Sequence, residues 1–237
     1  MTALTQIDSI RASAPKDVER LVVSAAKYFP FATLTEASEA FKSQLDVNSA
    51  DNGGNDTVSQ ALFAVRDEVA GAISNIAIIE RFIALSTPAM EDGNNFGVTV
   101  QMMVAKYAKE VREDLTKIID SLPAYFDARA GAYEKMPTVP TKSSTSTNSS
   151  TTSSGGKDGD EKKESSSTSA EEKKNLRTCM DRANHVVAID VNYYFKIKAA
   201  LGTLTDNYAV LIDNLNKNFD KISAPKGTGG SNSLSMF

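Results

Sequence analysis

The stretch from Thr57 to Thr87, TVSQALFAVRDEVAGAISNIAIIERFIALST, decides the fold class. Its apolar residues Val58, Leu62, Val65, Val69, Ala72, Ile76, Ile79 and Ile83 follow one another at alternating steps of four and three. That spacing keeps one stripe on one side of an α-helix and marks helices packed side by side. Ala61, Ile73, Ile78 and Phe82 widen the stripe, and Pro88 closes the helix because it lacks the N–H that the helix needs.

Three further patterns of the same kind lie on either side. The first spans residues 15–47, with Val18, Leu21, Val22, Ala25 and Phe29 on one face. Pro30 interrupts it, and Thr33 with Glu36 forms a capping box that restarts the helix through Leu34, Phe41 and Leu45. The third covers 97–135 and carries Val100, Val104, Tyr107, Val111, Leu115, Ile118, Leu122 and Tyr125, with a kink expected at Pro123. The fourth, 171–222, runs Leu176, Met180, Ala183, Val187, Asp190, Tyr194, Ile197, Leu201, Leu204, Tyr208, Leu211, Leu215, Phe219 and Ile222. Val186, Ile189, Val191, Phe195, Ala209 and Ile212 make its flanks apolar as well. A helix apolar on several sides must bury several sides, so neighbouring subunits are expected.

Residues 137–170 are rich in Ser, Thr, Lys and Glu and nearly devoid of apolar side chains, so the expectation there is disorder. Residues 1–14 are polar and amphipathic, and 223–237 read as a flexible tail. The expected fold is therefore all-α: an antiparallel four-helix bundle. In an up-and-down bundle the first and third connections share one end. The turn Glu91-Asp92-Gly93-Asn94-Asn95-Phe96-Gly97 and the tail ending in Ser235-Met236-Phe237 then share the other.

Composition narrows the function. The 237 residues carry a net charge of −4 with the basic residues scattered among acids, which argues against a nucleic-acid partner. Cys179 stands alone, so no internal disulfide forms, and this fits a reducing compartment. The N-terminus lacks the apolar core of a signal peptide, and no apolar run reads as long enough to span a bilayer. The expected location is the nucleus or cytoplasm, where the sequon at Asn148 stays unmodified.

Chemistry-bearing motifs are scarce. Gly155-Gly156-Lys157-Asp158 lacks the spacing of a phosphate-binding loop. The Asp92-Gly93-Asn94-Asn95 turn places its glycine too early for a calcium loop. His185 reads as a packed or interfacial helical residue, without a second histidine for zinc. Cys179 reads as a small buried residue. Asp190, the one polar residue on the fourth seam, either sets register or oligomer state or occupies a partly exposed position. No cofactor and no catalytic group is expected. The 91–97 turn itself has two readings from its residues: an ordinary interhelical turn in which Asp92, Asn94 or Asn95 caps the next helix, or a partner-contacting loop.

A wider match favours the second. Ala89-Met90-Glu91-Asp92-Gly93-Asn94-Asn95-Phe96-Gly97-Val98-Thr99-Val100-Gln101 resembles the loop and helix start of the 11S proteasome activators, the REG family. Asn207-Tyr208-Ala209-Val210-Leu211, Lys217-Asn218-Phe219-Asp220-Lys221 and Pro225-Lys226-Gly227 resemble that family's last helix and tail root, and Tyr28-Phe29-Pro30 a break in its first helix. The resemblance implies one activator domain over 1–237 and a seven-membered ring with a central pore, docked on the outer-ring α subunits of the 20S proteasome. It implies tails that anchor through Ser235, Met236 and Phe237, and a loop at 88–97 that holds the gate open without ATP. Short peptides are the implied substrates passing through the pore. Some relatives carry a charged insert between the first two helices; here the long insert is 137–170, expected at the pore mouth away from the proteasome. A helical adaptor without gate-opening activity is the alternative.

Overall fold

The computed structural model describes residues 3–45, 54–89, 95–136 and 165–226, and of 165–179 the backbone alone. Those residues form seven helices in four legs. The first leg is α1 (Ala3–Tyr28) and α2 (Leu34–Gln44); the second is α3 (Asp56–Ser86). The third is α4 (Phe96–Ser121) and α5 (Ala124–Tyr133); the fourth is α6 (Ser165–Lys217) and α7 (Phe219–Ser223). No strand occurs among the described residues.

Contacts along the legs fix their directions. Arg11 Nε donates to Asn216 Oδ1 at 2.8 Å, and the Phe31 N–H donates to the Tyr194 hydroxyl at 2.9 Å, so the first leg runs against α6. Arg112 Nε meets Glu80 Oε2 at 2.9 Å, and Phe126 stacks on Phe63, so the third leg runs against α3. Asn75 bonds Tyr208 and Phe82 stacks on Phe219, so α3 and α6 run parallel across the bundle. This is the up-and-down antiparallel arrangement.

The expected α3 seam is the centre of the core: all eight of its residues are buried. From Val187 to Ile222 every member of the fourth seam is buried except Phe219, which is half-buried. The capping box forms as read, with Thr33 Oγ1 accepting from the Glu36 N–H at 3.2 Å and Glu36 Oε2 accepting from the Thr33 N–H at 3.3 Å. Between α1 and α2, Phe29, Phe31 and Phe41 pack around Tyr194 with ring centroids 5.3–5.7 Å apart, so the Pro30 break is filled with aromatic surface. Leu122 and Pro123 separate α4 from α5, where Pro123 was expected to kink the helix.

Several expectations need correction. The first helix starts at Ala3 rather than residue 15, and Pro15 lies inside it. Ile7, Ile10 and Ala14 are buried against the bundle, and that burial offsets the hydrogen bond Pro15 cannot make. Helix α6 begins at Ser165, six residues inside the stretch expected to be disordered. Its 53 residues give a rod of about 80 Å. Val22, Leu34 and Met180, expected on apolar faces, are exposed. His185 is exposed on the single subunit, which removes the packed reading and leaves the interfacial one. By length and composition α3 is also apolar enough to cross a membrane, contrary to the sequence expectation, but its stripe is the bundle core.

On α4 the stripe is rotated from the expected one. The buried residues are Gly97, Gln101, Val104, Ala108, Val111 and Leu115, while Val100 and Tyr107 are half-buried. Gln101, Gly97 and Ala108, one polar and two small residues, thus take positions on the buried face.

Candidate functional site

The site is the end of the bundle where α3 stops, α4 starts and α7 leads into the tail. Of the loop residues singled out from the sequence, Glu91, Asp92, Gly93 and Asn94 lie outside the described residues, as do the tail residues Ser235, Met236 and Phe237. Asn95, Phe96 and Gly97 are placed.

Asn95 stands at the N-cap of α4 with φ −97° and ψ 11°, but its side chain makes no capping hydrogen bond. Its carbonyl oxygen accepts from the Thr99 N–H at 2.9 Å and from Thr99 Oγ1 at 3.2 Å. Of the three caps that the ordinary-turn reading offered, Asn95 is thus not one, and Asp92 and Asn94 lie outside the described residues. Phe96 is exposed, with the Lys221 ammonium 4.9 Å from its ring centroid. That contact ties the first residue of α4 to α7.

Gly97 is buried against the backbone of Pro225. A Cβ at this position would stand 2.6 Å from Pro225 Cα and 2.8 Å from its carbonyl carbon, with the carbonyl oxygen nearer still. Glycine is required here for close approach. The C-terminal end of the loop and the root of the tail are therefore in direct contact.

One turn further, Gln101 closes the third side. Its Nε2 donates to Ser86 O at 3.0 Å and to Ile222 O at 2.6 Å. The first acceptor is the last residue of α3, ahead of the loop; the second is in the last turn of α7, ahead of the tail. Both belong to the set of carbonyls that a helix end leaves unpaired.

Beneath this surface Phe219 is clasped from two sides. Its ring stacks parallel on Phe82 at 5.8 Å, and the Arg11 guanidinium lies 3.5 Å over its centroid. Asn218 breaks α6 just before it, with its Nδ2 donating to Asn214 O at 2.9 Å. The break turns α7 so that Phe219 enters the gap between α3 and α1. Sequence reasoning named Gln101 and Lys221 only inside the family match, without a role for either, and missed Arg11. Gln101 was detectable only by taking Ala108 rather than Tyr107 after Val104, because the four-three alternation then runs back to Gln101 and Gly97.

The opposite end holds a buried polar cluster. Asp190 is 3% exposed and accepts from Tyr125 OH at 2.8 Å, Arg129 Nε at 3.0 Å and Asn55 Nδ2 at 3.1 Å. Asn55 Oδ1 in turn accepts from the Val58 N–H at 3.2 Å, capping α3. The carboxylate thereby pins α5 and the start of α3 to α6, which favours the register reading of Asp190 over partial exposure. Burial pushes the Tyr125 phenol far above its ordinary range, and the adjacent Asp190 charge pushes it further. No cluster of three or more metal-ligating side chains occurs among the described residues.

A family profile described as "Proteasome activator PA28, C-terminal" matches residues 52–142 and 168–232. The chain is 36% identical over 64 residues to "Proteasome activator 28" of Dictyostelium discoideum, which is 27% of this chain and 28% of that protein. It is 22% identical over 198 residues to human "Proteasome activator complex subunit 3", covering 82% of this chain and 63% of that one. The chain thus aligns with less than two thirds of the length of either relative. Among solved structures, a chain from a crystal structure titled as an archaeal 20S proteasome in complex with a mutated P26 activator superposes with a TM-score of 0.60. That match is 16% identical and covers 98% of this chain and 92% of the other; at this identity it speaks to the fold.

Proposed function

The chain belongs to the proteasome activator PA28 (11S, REG) family, and on that premise we propose that it caps the 20S proteasome and stimulates peptide hydrolysis without ATP. In this reading it is a non-catalytic activator found in the nucleus or cytoplasm. Its tails, ending in Ser235, Met236 and Phe237, anchor it in pockets between outer-ring α subunits, and the 88–97 loop holds the entrance gate open. The carrying observation is the contact of Gly97 with the Pro225 backbone, which puts the loop root and the tail root against each other.

Two consequences of chemistry support the division of labour. One tail contact is weak by itself, and several tails on one particle raise the effective concentration. Tight anchoring alone does not open a gate; that takes contacts favouring the open state over the closed one. Loop contacts supply that bias.

A homomeric ring of seven, enclosing a pore through which short peptides pass, is the proposed assembly. A closed ring needs two different, complementary faces on each subunit. Val22 and Val23 on α1 and Met102 and Met103 on α4 are exposed apolar residues on legs that each pack against both α3 and α6, and so lie across the bundle from one another. Residues 137–164, outside the described residues, are proposed to fringe the far pore mouth and filter what enters.

The test is fluorogenic peptide hydrolysis by purified 20S particles with and without the full chain, alongside native mass measurement. Stimulation by a seven-membered particle is the expected result. A chain that binds 20S particles and leaves hydrolysis unchanged belongs instead with the adaptor reading.

A further inference from the structure

Gln101 stands where the packing of α4 calls for an apolar side chain. It lies in the buried series between Gly97 and Val104 and is 1% exposed. Ser86 O and Ile222 O both accept hydrogen bonds, so the amide must turn its nitrogen toward them. Its Oε1 is then left buried without a hydrogen-bond partner among the described residues. A buried acceptor left unmet costs stability, so packing alone favours methionine or leucine here. A local rule broken inside a core, with no gain in packing, points to function.

What the amide joins is the clue. Ser86 ends the helix that runs into the loop, and Ile222 lies four residues before Lys226 at the tail root. Gly97, one turn before Gln101 on the same face, seats Pro225. Both ends of the loop and the root of the tail are thus held by one face of α4.

We propose that Gln101 is the positioning residue that couples tail docking to loop action. This rests on the activator reading above. Tails fix the particle on the proteasome through their roots, and the loop biases the gate through its own. A loop free to shift relative to the docked tails meets the open and the closed gate alike and biases neither. The amide removes that freedom by holding Ser86 and Ile222 on one nitrogen.

The experiment uses full-length Gln101→Met and Gln101→Glu. Both keep the side-chain size; methionine offers no donor, and a glutamic acid, kept neutral by burial against two carbonyls, offers one O–H for two acceptors. Melting temperature, affinity for purified 20S particles and maximal peptide hydrolysis at saturating activator are read for each. The expected result is wild-type assembly and affinity with maximal stimulation down about tenfold, inside the range of ordinary coupling between two sites. A lowered melting temperature with unchanged maximal stimulation assigns Gln101 a structural role and overturns the proposal. So does a loss of affinity that accounts for the whole loss of activity, or a Gln101→Glu variant that stimulates fully. If the wild-type chain itself binds 20S particles without stimulating them, the activator reading falls, and the coupling role with it.

Discussion

Replacing Gly97 by alanine adds one methyl group and tests the joined roots directly. An alanine Cβ would stand 2.6 Å from Pro225 Cα, where ordinary contact begins near 3.4 Å. The atom in the way is backbone, so no rotamer relieves it; the tail root must move by about 0.8 Å or more. Two energies oppose each other. Overpacking costs about 1–3 kcal/mol, while alanine gains about 1 kcal/mol over glycine within a helix. The net change is a destabilisation of about 0–2 kcal/mol, equivalent to a fall in Tm of several degrees at most for a chain of this size. The bundle therefore stays folded, and the displaced root is what remains to be read. In the peptide-hydrolysis assay with 20S particles, Gly97→Ala is expected to lose most of its stimulation while retaining its helical signal. Gly97→Val, which carries more bulk, is expected to lose more. An alanine variant with raised Tm and undiminished stimulation refutes the packing of Pro225 on Gly97 and the role assigned to it.

Asn94→Tyr is expected to bind 20S particles with wild-type affinity and fail to stimulate them, as measured by co-sedimentation and hydrolysis together. Asp190→Ala strands Arg129 in a largely buried site and is expected to cost about 3–5 kcal/mol, read as a lowered urea midpoint. Alkaline pH should destabilise the fold. Burial raises the phenol pKa of Tyr125, Tyr194 and Tyr208 above the unfolded value near 10, so the folded state holds these protons more tightly. The stability they contribute is complete below pH 10 and is lost as pH rises beyond it; urea midpoints between pH 9 and 11 should show the decline. Thr33→Ala removes the α2 cap at a cost of about 1 kcal/mol, visible as faster hydrogen exchange in that helix.

The helical class, the order of the legs and the meeting of the loop root and the tail root at one end were legible because each follows from a short-range regularity. Four-three spacing from Val58 to Ile83, the Thr33–Glu36 box and the prolines at 30, 88 and 123 act within a few residues of themselves. The start of α1 was not legible. Residues 3–14 form a helix by docking Ile7 and Ile10 on the rest of the bundle, a gain that local propensity does not contain. Val22 and Leu34 failed in the opposite sense, since apolar character alone does not say which side of a helix a neighbour will cover.

The candidate site divides along the same line. From the chain alone came the expectation that the 91–97 turn and the tail share an end, because alternation of direction follows from counting legs. Only the folded structure brought Gly97 onto Pro225, Gln101 onto Ser86 and Ile222, and Arg11 onto Phe219. Those partners stand 121 to 208 positions apart, Ser86 excepted, and no local pattern records a contact made across such distances. Their meeting is set by how four legs settle against one another, which is a property of the packed bundle as a whole.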